Sequence, residues 1–183
     1  MNPKVKFLTL TALLIAVGVL LPMVFHMLSF GGPMFLPMHI PVLVAGFLLP
    51  WQFAALVGIT TPLLSSFLTG MPPVPTVFTM TAELFTYGIT TSLLYRNFKK
   101  NTYVSMISAM LIGRLVSILA NWILFNFVLG LPFKLTAFLY SMFVIGLPGI
   151  VIQILTIPPL VTLLVHRQAN VHERSANPVT LKG

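Results

Sequence analysis

Long apolar runs, separated by short breaks that contain glycine, proline or lysine, make up most of the chain. A helix needs about 20 apolar residues to cross the hydrocarbon core of a bilayer, so runs of this kind predict membrane spans. Six spans are predicted, at residues 7–28, 38–49, 52–68, 76–95, 102–128 and 136–166. The predicted domains are a transmembrane unit, residues 1–166, and a polar, loosely ordered cytoplasmic tail, residues 167–183.

The second run, residues 38–49, is short for a span. Three explanations stay open: the helix begins earlier, it is tilted, or an irregular stretch packed inside the protein completes it. The preceding segment, "SFGGPMFLP", contains glycines and prolines and is therefore not predicted to be a plain helix.

The composition supports a membrane protein. Hydrophobic residues make up 57% of the chain and charged residues only 7%, whereas an average soluble domain has about 25% charged residues. The formal net charge is +8, but the basic residues lie at the ends of apolar runs. This placement is typical of membrane orientation and not of nucleic-acid binding. Because there is no cysteine, disulfides and cysteine metal sites are excluded.

Six spans place both termini on one side of the membrane. That side holds most of the basic residues, namely Lys4, Lys6, Arg96, Lys99, Lys100, Arg167, Arg174 and Lys182. The opposite loops carry only Lys134, so the positive-inside bias makes the first side cytoplasmic. The predicted fold class is an all-α membrane protein of six transmembrane helices with cytoplasmic N- and C-termini.

The outer side has three connections, residues 29–37, 69–75 and 130–135, which contain glycine or proline. Loops on one face of a rigid bundle commonly carry a ligand site, so we expect the site on this side. Residues 30–35 contain two glycines and are the candidate loop that closes over a ligand.

Two ionisable residues interrupt neighbouring spans at the same depth. Glu83 and Arg114 each lie about 12 residues from the cytoplasmic end of their span, roughly 18 Å into the bilayer. An unpaired charge at this depth costs at least about 2.5 kcal/mol, so the two side chains are predicted to form an ion pair. Either the pair only fixes helix register, or it floors a polar cavity where Arg114 also binds a ligand carboxylate.

Other polar residues extend this candidate site. The candidate substrate-binding residues are His39, Glu83, Tyr87, Arg114, Asn121 and Asn126. Asn121 lies on about the same helix face as Arg114, and Tyr87 is one turn from Glu83. His39 is either a hydrogen-bond donor to a ligand or a histidine that water satisfies at the headgroup level. No metal site is expected, because further ligands are missing.

The first span contains Ala12 and Ala16, two small residues one helical turn apart. Such a pair leaves a groove in which another helix can approach closely. That helix belongs either to the same bundle or to a partner subunit.

Motifs of nucleotide-binding and hydrolytic enzymes are missing, including the phosphate-binding loop, HExxH and GxSxG. Only two acids, Glu83 and Glu173, are available for acid–base chemistry. The chain is therefore not predicted to be an enzyme, to hydrolyse ATP or to need a cofactor.

Over nearly its whole length the chain resembles the substrate-binding S components of energy-coupling factor (ECF) vitamin transporters. The stretches that carry the resemblance are "TALLIA", "LPMHIPVLVAGFL", "PLLSSFLTGMPP", "ELFTYGITTSLLYRNFKK" and "IGRLVSILANWILF". The chain is most similar to the branch that includes riboflavin, pantothenate and cobalamin binders.

The resemblance implies a subunit of the bacterial cell membrane that binds a vitamin from outside. Ala12 and Ala16 would dock it, within the lipid, onto a transmembrane coupling subunit held by two cytoplasmic ATPases, which topple the bundle and release the vitamin inside. Pantothenate is the favoured substrate, because Arg114 suits its carboxylate and the neighbouring amides and His39 suit its other polar groups. Riboflavin, cobalamin or a precursor are the alternatives.

Two other classes of function stay open. A self-sufficient secondary transporter would use Glu83 or His39 as a proton carrier, but six spans without an inverted repeat disfavour it. A membrane chaperone or assembly subunit would bind no small molecule.

Overall fold

The protein is a bundle of helices. A computed structural model describes residues 3–27 and 35–176, and every regular element in these ranges is helical. The helices are α1 Pro3–Met27, α2 His39–Leu48, α3 Trp51–Thr69, α4 Thr76–Ser92, α5 Thr102–Ile123, α6 Leu135–Leu139 and α7 Leu147–Ala176.

Four helical segments within the described residues are long and apolar enough to cross a membrane. They are Lys4–Phe25, Trp51–Thr69, Thr102–Val128 and Leu147–Val165. Two shorter apolar helices, His39–Leu48 and Leu135–Ile145, lie between them. The chain is thus an all-α, multi-pass membrane protein, while the count of six spans and the side of the termini stay predictions.

The predicted sixth span is divided in two. Helix α6 continues into a π-helical turn, Tyr140–Ile145, which ends at Gly146, and α7 begins at the next residue. Pro148 lies in the first turn of α7, where the missing backbone N–H of proline leaves no intrahelical hydrogen bond unmade. Two similar π-helical turns, Leu93–Asn97 and Leu124–Val128, extend α4 and α5.

Helix α7 also continues farther than the sequence pattern predicts. It reaches Ala176, so residues 167–176, which belong to the predicted polar tail, are helical. This stretch contains no glycine or proline, and the first helix-breaking residue is Pro178. Propensity therefore allows the helix to continue once packing has started it.

Helix α2 lies at the centre of the bundle. It contacts α1, α3, α4 and α7, and all of its residues except Ile40 are buried. After His39 the helix is apolar on every face, and helices of this kind are buried in the core of a protein. The buried, non-helical residues Pro37 and Met38 precede it, and the N–H of His39 donates to the Leu36 carbonyl at 3.1 Å. The residues just before α2 are thus packed inside the protein, and all three explanations for the short second run stay open.

Helices α3 and α4 approach each other through glycines. A Cβ added at Gly58 would lie 2.5 Å from the Leu84 carbonyl oxygen, and one added at Gly88 would lie 2.5 Å from that of Ala54. The two backbones are therefore in direct contact, as small residues allow in membrane helices. This contact fixes α4, which carries Glu83, against the rest of the bundle.

The basic residues gather at one end of the bundle. The Phe7 and Phe53 rings lie 5.8 Å apart, which places the start of α1 beside the start of α3. At the same end, Arg96 donates to the Leu48 carbonyl at 3.0 Å and Ser92 donates to that of Leu49 at 2.8 Å. The opposite end is formed by the start of α2 and α4.

Candidate ligand-binding cavity

A cavity of about 500 Å³ opens at the end of the bundle opposite to these basic residues. Sites for small molecules typically measure about 300–1,000 Å³, so the cavity suits a metabolite or vitamin. Its lining residues are Pro22, Leu36, Pro37, Met38, His39, Met71, Pro72, Pro73, Thr76, Thr79, Met80, Glu83, Arg114, Ser117, Asn121, Phe138, Ser141, Met142 and Gly146.

Glu83 provides a fixed carboxylate at the base of the cavity. Its Oε1 accepts a hydrogen bond of 2.9 Å from the Tyr87 hydroxyl, and the His39 Nε2 lies 3.7 Å from the same oxygen. Tyr87 is fully buried, and its ring packs against Gly113 of α5, where any larger residue would collide with it. Tyr87 therefore supports Glu83 from below and does not itself line the cavity.

Arg114 is held from the other side of the cavity. It is only 4% exposed, and its Nη1 donates to the Met142 carbonyl at 2.6 Å. Its Cζ lies 5.1 Å from the centre of the Phe143 ring, a cation–π distance. Both partners belong to the π-helical turn after α6.

Glu83 and Arg114 do not form the direct ion pair that the sequence predicts. Among the described residues the two side chains make no contact within 4.0 Å, because each is bound by other groups. Tyr87 and His39 hold the carboxylate, while the π-helical turn brings a carbonyl and a ring to the guanidinium. Both charged side chains nevertheless line the same cavity.

Helix α5 adds two more polar groups next to Arg114. Ser117 and Asn121 follow it at spacings of three and seven residues, which places all three on one helix face. Both are buried, both line the cavity, and the Asn121 amide donates to the Ser117 carbonyl at 2.9 Å. The Asn121 side-chain carbonyl oxygen remains available as an acceptor.

Asn126 does not belong to this group. It is exposed, its amide donates to the Trp122 carbonyl at 3.0 Å, and it does not line the cavity. At about 100° per residue, a separation of 12 residues turns Asn126 about 120° away from Arg114 around the helix. The structure therefore does not bring Asn126 together with the other candidate site residues.

The predicted outer connections contribute unequally to the cavity. Residues 69–75 supply Met71, Pro72 and Pro73, and residues 29–37 supply Leu36 and Pro37. Residues 130–135 do not line it; the wall on that side begins at Phe138. Residues 28–34, which include most of the predicted closing loop 30–35, lie outside the described residues.

Two side-chain hydrogen bonds fix the connection between α3 and α4, which forms one wall of the cavity. The connection begins at Gly70, the C-cap of α3, whose φ of 72° is left-handed and favours glycine. The Ser65 hydroxyl then donates to the Met71 carbonyl at 2.8 Å, and the Ser66 hydroxyl donates to the Pro72 carbonyl at 2.7 Å. These bonds hold the loop over the cavity.

Sequence reasoning missed several polar lining residues. Thr76 and Thr79 precede Glu83 on one face of α4, and Ser117 shares the face of Arg114. The spacing of three, four or seven residues from each charged position could have identified them. No comparable signal exists for Ser141, because its position depends on the π-helical turn.

Ala12 and Ala16 lie outside the cavity. Both side chains are exposed, whereas Thr11, Leu14 and Val19 of the same helix are buried. The alternative that this pair packs against another helix of the same bundle was therefore wrong.

A family model described as the substrate-specific component of ECF transporters matches residues 6–161. No curated protein and no solved structure shows significant similarity to the chain. The matched range includes every residue that lines the cavity.

Proposed function

Since the chain belongs to the family of ECF transporter substrate-specific components, we propose that its cavity captures a vitamin from outside a bacterial cell membrane, and that this vitamin is pantothenate. Members of this family are substrate-binding subunits and not enzymes. In our proposal a transmembrane coupling subunit and two cytoplasmic ATPases drive the release of the vitamin inside.

The choice of pantothenate rests on the hydrogen-bond donors of the buried side chain of Arg114. A guanidinium has five N–H donors, and the Met142 carbonyl accepts from one nitrogen of Arg114. The side chain is buried and lines the cavity, so its remaining donors favour an anionic acceptor on the ligand. Pantothenate carries one carboxylate that suits this position.

The rest of the cavity suits the other groups of pantothenate. Its hydroxyl and amide groups need acceptors and donors, which Glu83, Ser117 and Asn121 offer. Riboflavin has no carboxylate and would leave Arg114 without a partner. Cobalamin is far larger than pantothenate and does not suit a cavity of about 500 Å³.

The surface around Ala12 and Ala16 supports a docking role. Both alanines are exposed, next to the exposed side chains of Leu8, Leu13 and Leu20. In lipid, a groove of small residues lets a second helix approach closely without burying charge. We assign this face to the coupling subunit.

The test uses the purified full chain and thermal unfolding with and without pantothenate. Pantothenate should raise the midpoint of the wild type by mass action. Loss of charge-assisted hydrogen bonds costs about 1.5–3 kcal/mol, so Arg114→Gln should weaken binding about 10- to 100-fold. Asn126→Ala is the control and should bind as the wild type does, because Asn126 lies off the cavity.

A result in which Arg114→Gln and wild type bind pantothenate equally would contradict the proposal. The contact between His39 and Glu83 also suits the second candidate, a self-sufficient proton-coupled transporter. That candidate requires proton-driven uptake into vesicles that contain this chain alone, whereas our proposal requires the partner subunits.

A further inference from the structure

We infer that the ligand bridges Glu83 and Arg114, with an anionic group bound to Arg114 and a hydrogen-bond donor bound to Glu83. The ligand thereby completes a contact that the two side chains do not make with each other. This inference rests on the proposed function and adds the chemical class of the substrate: a carboxylate that also carries a hydroxyl, amide N–H or ammonium group.

Two protein side chains contact the same carboxylate oxygen of Glu83. Both protein partners, Tyr87 and His39, approach Oε1. Glu83 is only 7% exposed, and its carboxylate lines the cavity. A carboxylate has about four acceptor sites, so a hydrogen-bond donor on the ligand is favoured on the side of the carboxylate that faces the cavity.

The orientation of Glu83 is fixed before any ligand arrives. The Tyr87 hydroxyl binds Oε1 from a fully buried position, and the His39 ring meets the Tyr87 ring edge-on at 5.5 Å. A carboxylate held in this way does not have to be ordered when the ligand binds, which favours affinity. Tyr87 is thus a positioning residue and Glu83 a specificity-determining residue.

Arg114 is the second charged residue that lines the cavity. Its partners, the Met142 carbonyl and the Phe143 ring, neutralise no charge, because neither carries a formal negative charge. A guanidinium at this depth is stabilised by an anion, and its planar fork can hold both oxygens of a carboxylate. The anionic group of the ligand is therefore expected at Arg114.

One small molecule can contact both the Glu83 carboxylate and the Arg114 guanidinium. Glu83 and Arg114 project from the adjacent, packed helices α4 and α5 into one cavity, and neither blocks the other. A ligand with only an anionic group would offer Glu83 no hydrogen-bond donor, and one with only donors would offer Arg114 no anion. A ligand that carries both groups makes both charge-assisted contacts, so the cavity selects such molecules.

The first experiment compares vitamins of different chemical classes by thermal stabilisation of the purified full chain. Pantothenate and biotin carry a carboxylate and N–H or O–H donors; nicotinate has a carboxylate without such a donor; riboflavin and thiamine have donors without a carboxylate. We expect the largest stabilisation from pantothenate or biotin. The largest stabilisation from nicotinate, riboflavin or thiamine would overturn both the inference and the choice of pantothenate, but not the capture of a vitamin by the cavity. Stabilisation by none of them would contradict the inference and the proposed function.

The second experiment measures the affinity of Glu83→Gln for the vitamin that stabilises most. The amide keeps the size of the side chain but removes the charge, so we expect the dissociation constant to rise at least tenfold. Asn126→Ala should leave it unchanged, and the unfolding midpoint without ligand reports whether the variant is folded. Unchanged affinity in folded Glu83→Gln would overturn the inference. If that variant does not fold, the comparison of vitamins on the wild type still decides.

Discussion

At the scale of single residues, the cavity keeps its two charges separately stabilised. Glu83 is held by Tyr87 and His39, and Arg114 is held by Met142 and Phe143. An unsupported ion inside a bilayer costs at least about 2.5 kcal/mol, so each partner set contributes to the fold. Because the two charged side chains do not contact each other directly, both can bind groups of a ligand.

Tyr87→Phe tests the support beneath Glu83. The variant keeps the buried ring but removes the hydroxyl that donates to the carboxylate. A hydrogen bond to a charged group contributes about 1.5–3 kcal/mol, so the free energy of unfolding should fall by about that amount. Denaturation in detergent measures it, and Tyr140→Phe is the control, because Tyr140 is exposed. Equal losses in the two variants would show that the hydroxyl of Tyr87 supports nothing.

The residues of the site were only partly predictable from the sequence. Helical spacing correctly groups Arg114 with Asn121, and the same rule, applied strictly, separates Asn126 from them. The partners of Arg114 were not predictable, since Met142 and Phe143 reach it from a π-helical turn. Apolar periodicity gives no signal for such a turn.

At the scale of helices, hydrophobic runs predicted most boundaries because each run ends at a glycine, proline or basic residue. Helix α3 ends at Thr69, and the predicted third span ends at residue 68. The central place of α2 was not predictable, because an apolar helix is equally compatible with lipid and with a protein core. Its neighbours decide, and they come from distant parts of the chain.

Gly88→Ala tests the close contact between α3 and α4. The added methyl group would lie 2.5 Å from the Ala54 carbonyl oxygen, so the helices must separate. Such overpacking typically costs about 1–3 kcal/mol, and the unfolding midpoint should fall by several degrees. Leu56→Ala, at an exposed position of α3, should change the midpoint much less. A midpoint for Gly88→Ala that matches the wild type would show that the contact is looser than described.

At the scale of the whole molecule, charge lies mainly in two places. The basic residues at the start of α1 and the end of α4 lie at the end of the bundle that Arg96 marks, Glu83 and Arg114 lie inside the cavity, and Lys134 lies at the start of α6. The outer surface is apolar, with exposed leucines such as Leu115 and Leu155. A bundle of this kind can reorient in lipid at low electrostatic cost, since the cavity carries one charge of each sign.

Ala16→Trp tests the docking face of α1. The bulky ring should prevent close approach of the coupling subunit, so co-purification with the coupling subunit and the ATPases should be lost. Binding of pantothenate to the isolated chain should not change, because Ala16 lies outside the cavity. Leu155→Trp places the same ring at an exposed position on α7 and is the matched control. If both variants assemble normally, this face of α1 is not the docking surface.

The central claim is that Arg114 recognises the carboxylate of the ligand. The most direct measurement is the equilibrium affinity of the purified protein for pantothenate and for panthenol, in which a hydroxyl replaces the carboxylate. The wild type should bind pantothenate at least about tenfold more tightly than panthenol, and Arg114→Gln should lose this preference. Equal affinity of the wild type for both molecules, or an undiminished preference in Arg114→Gln, would contradict the claim.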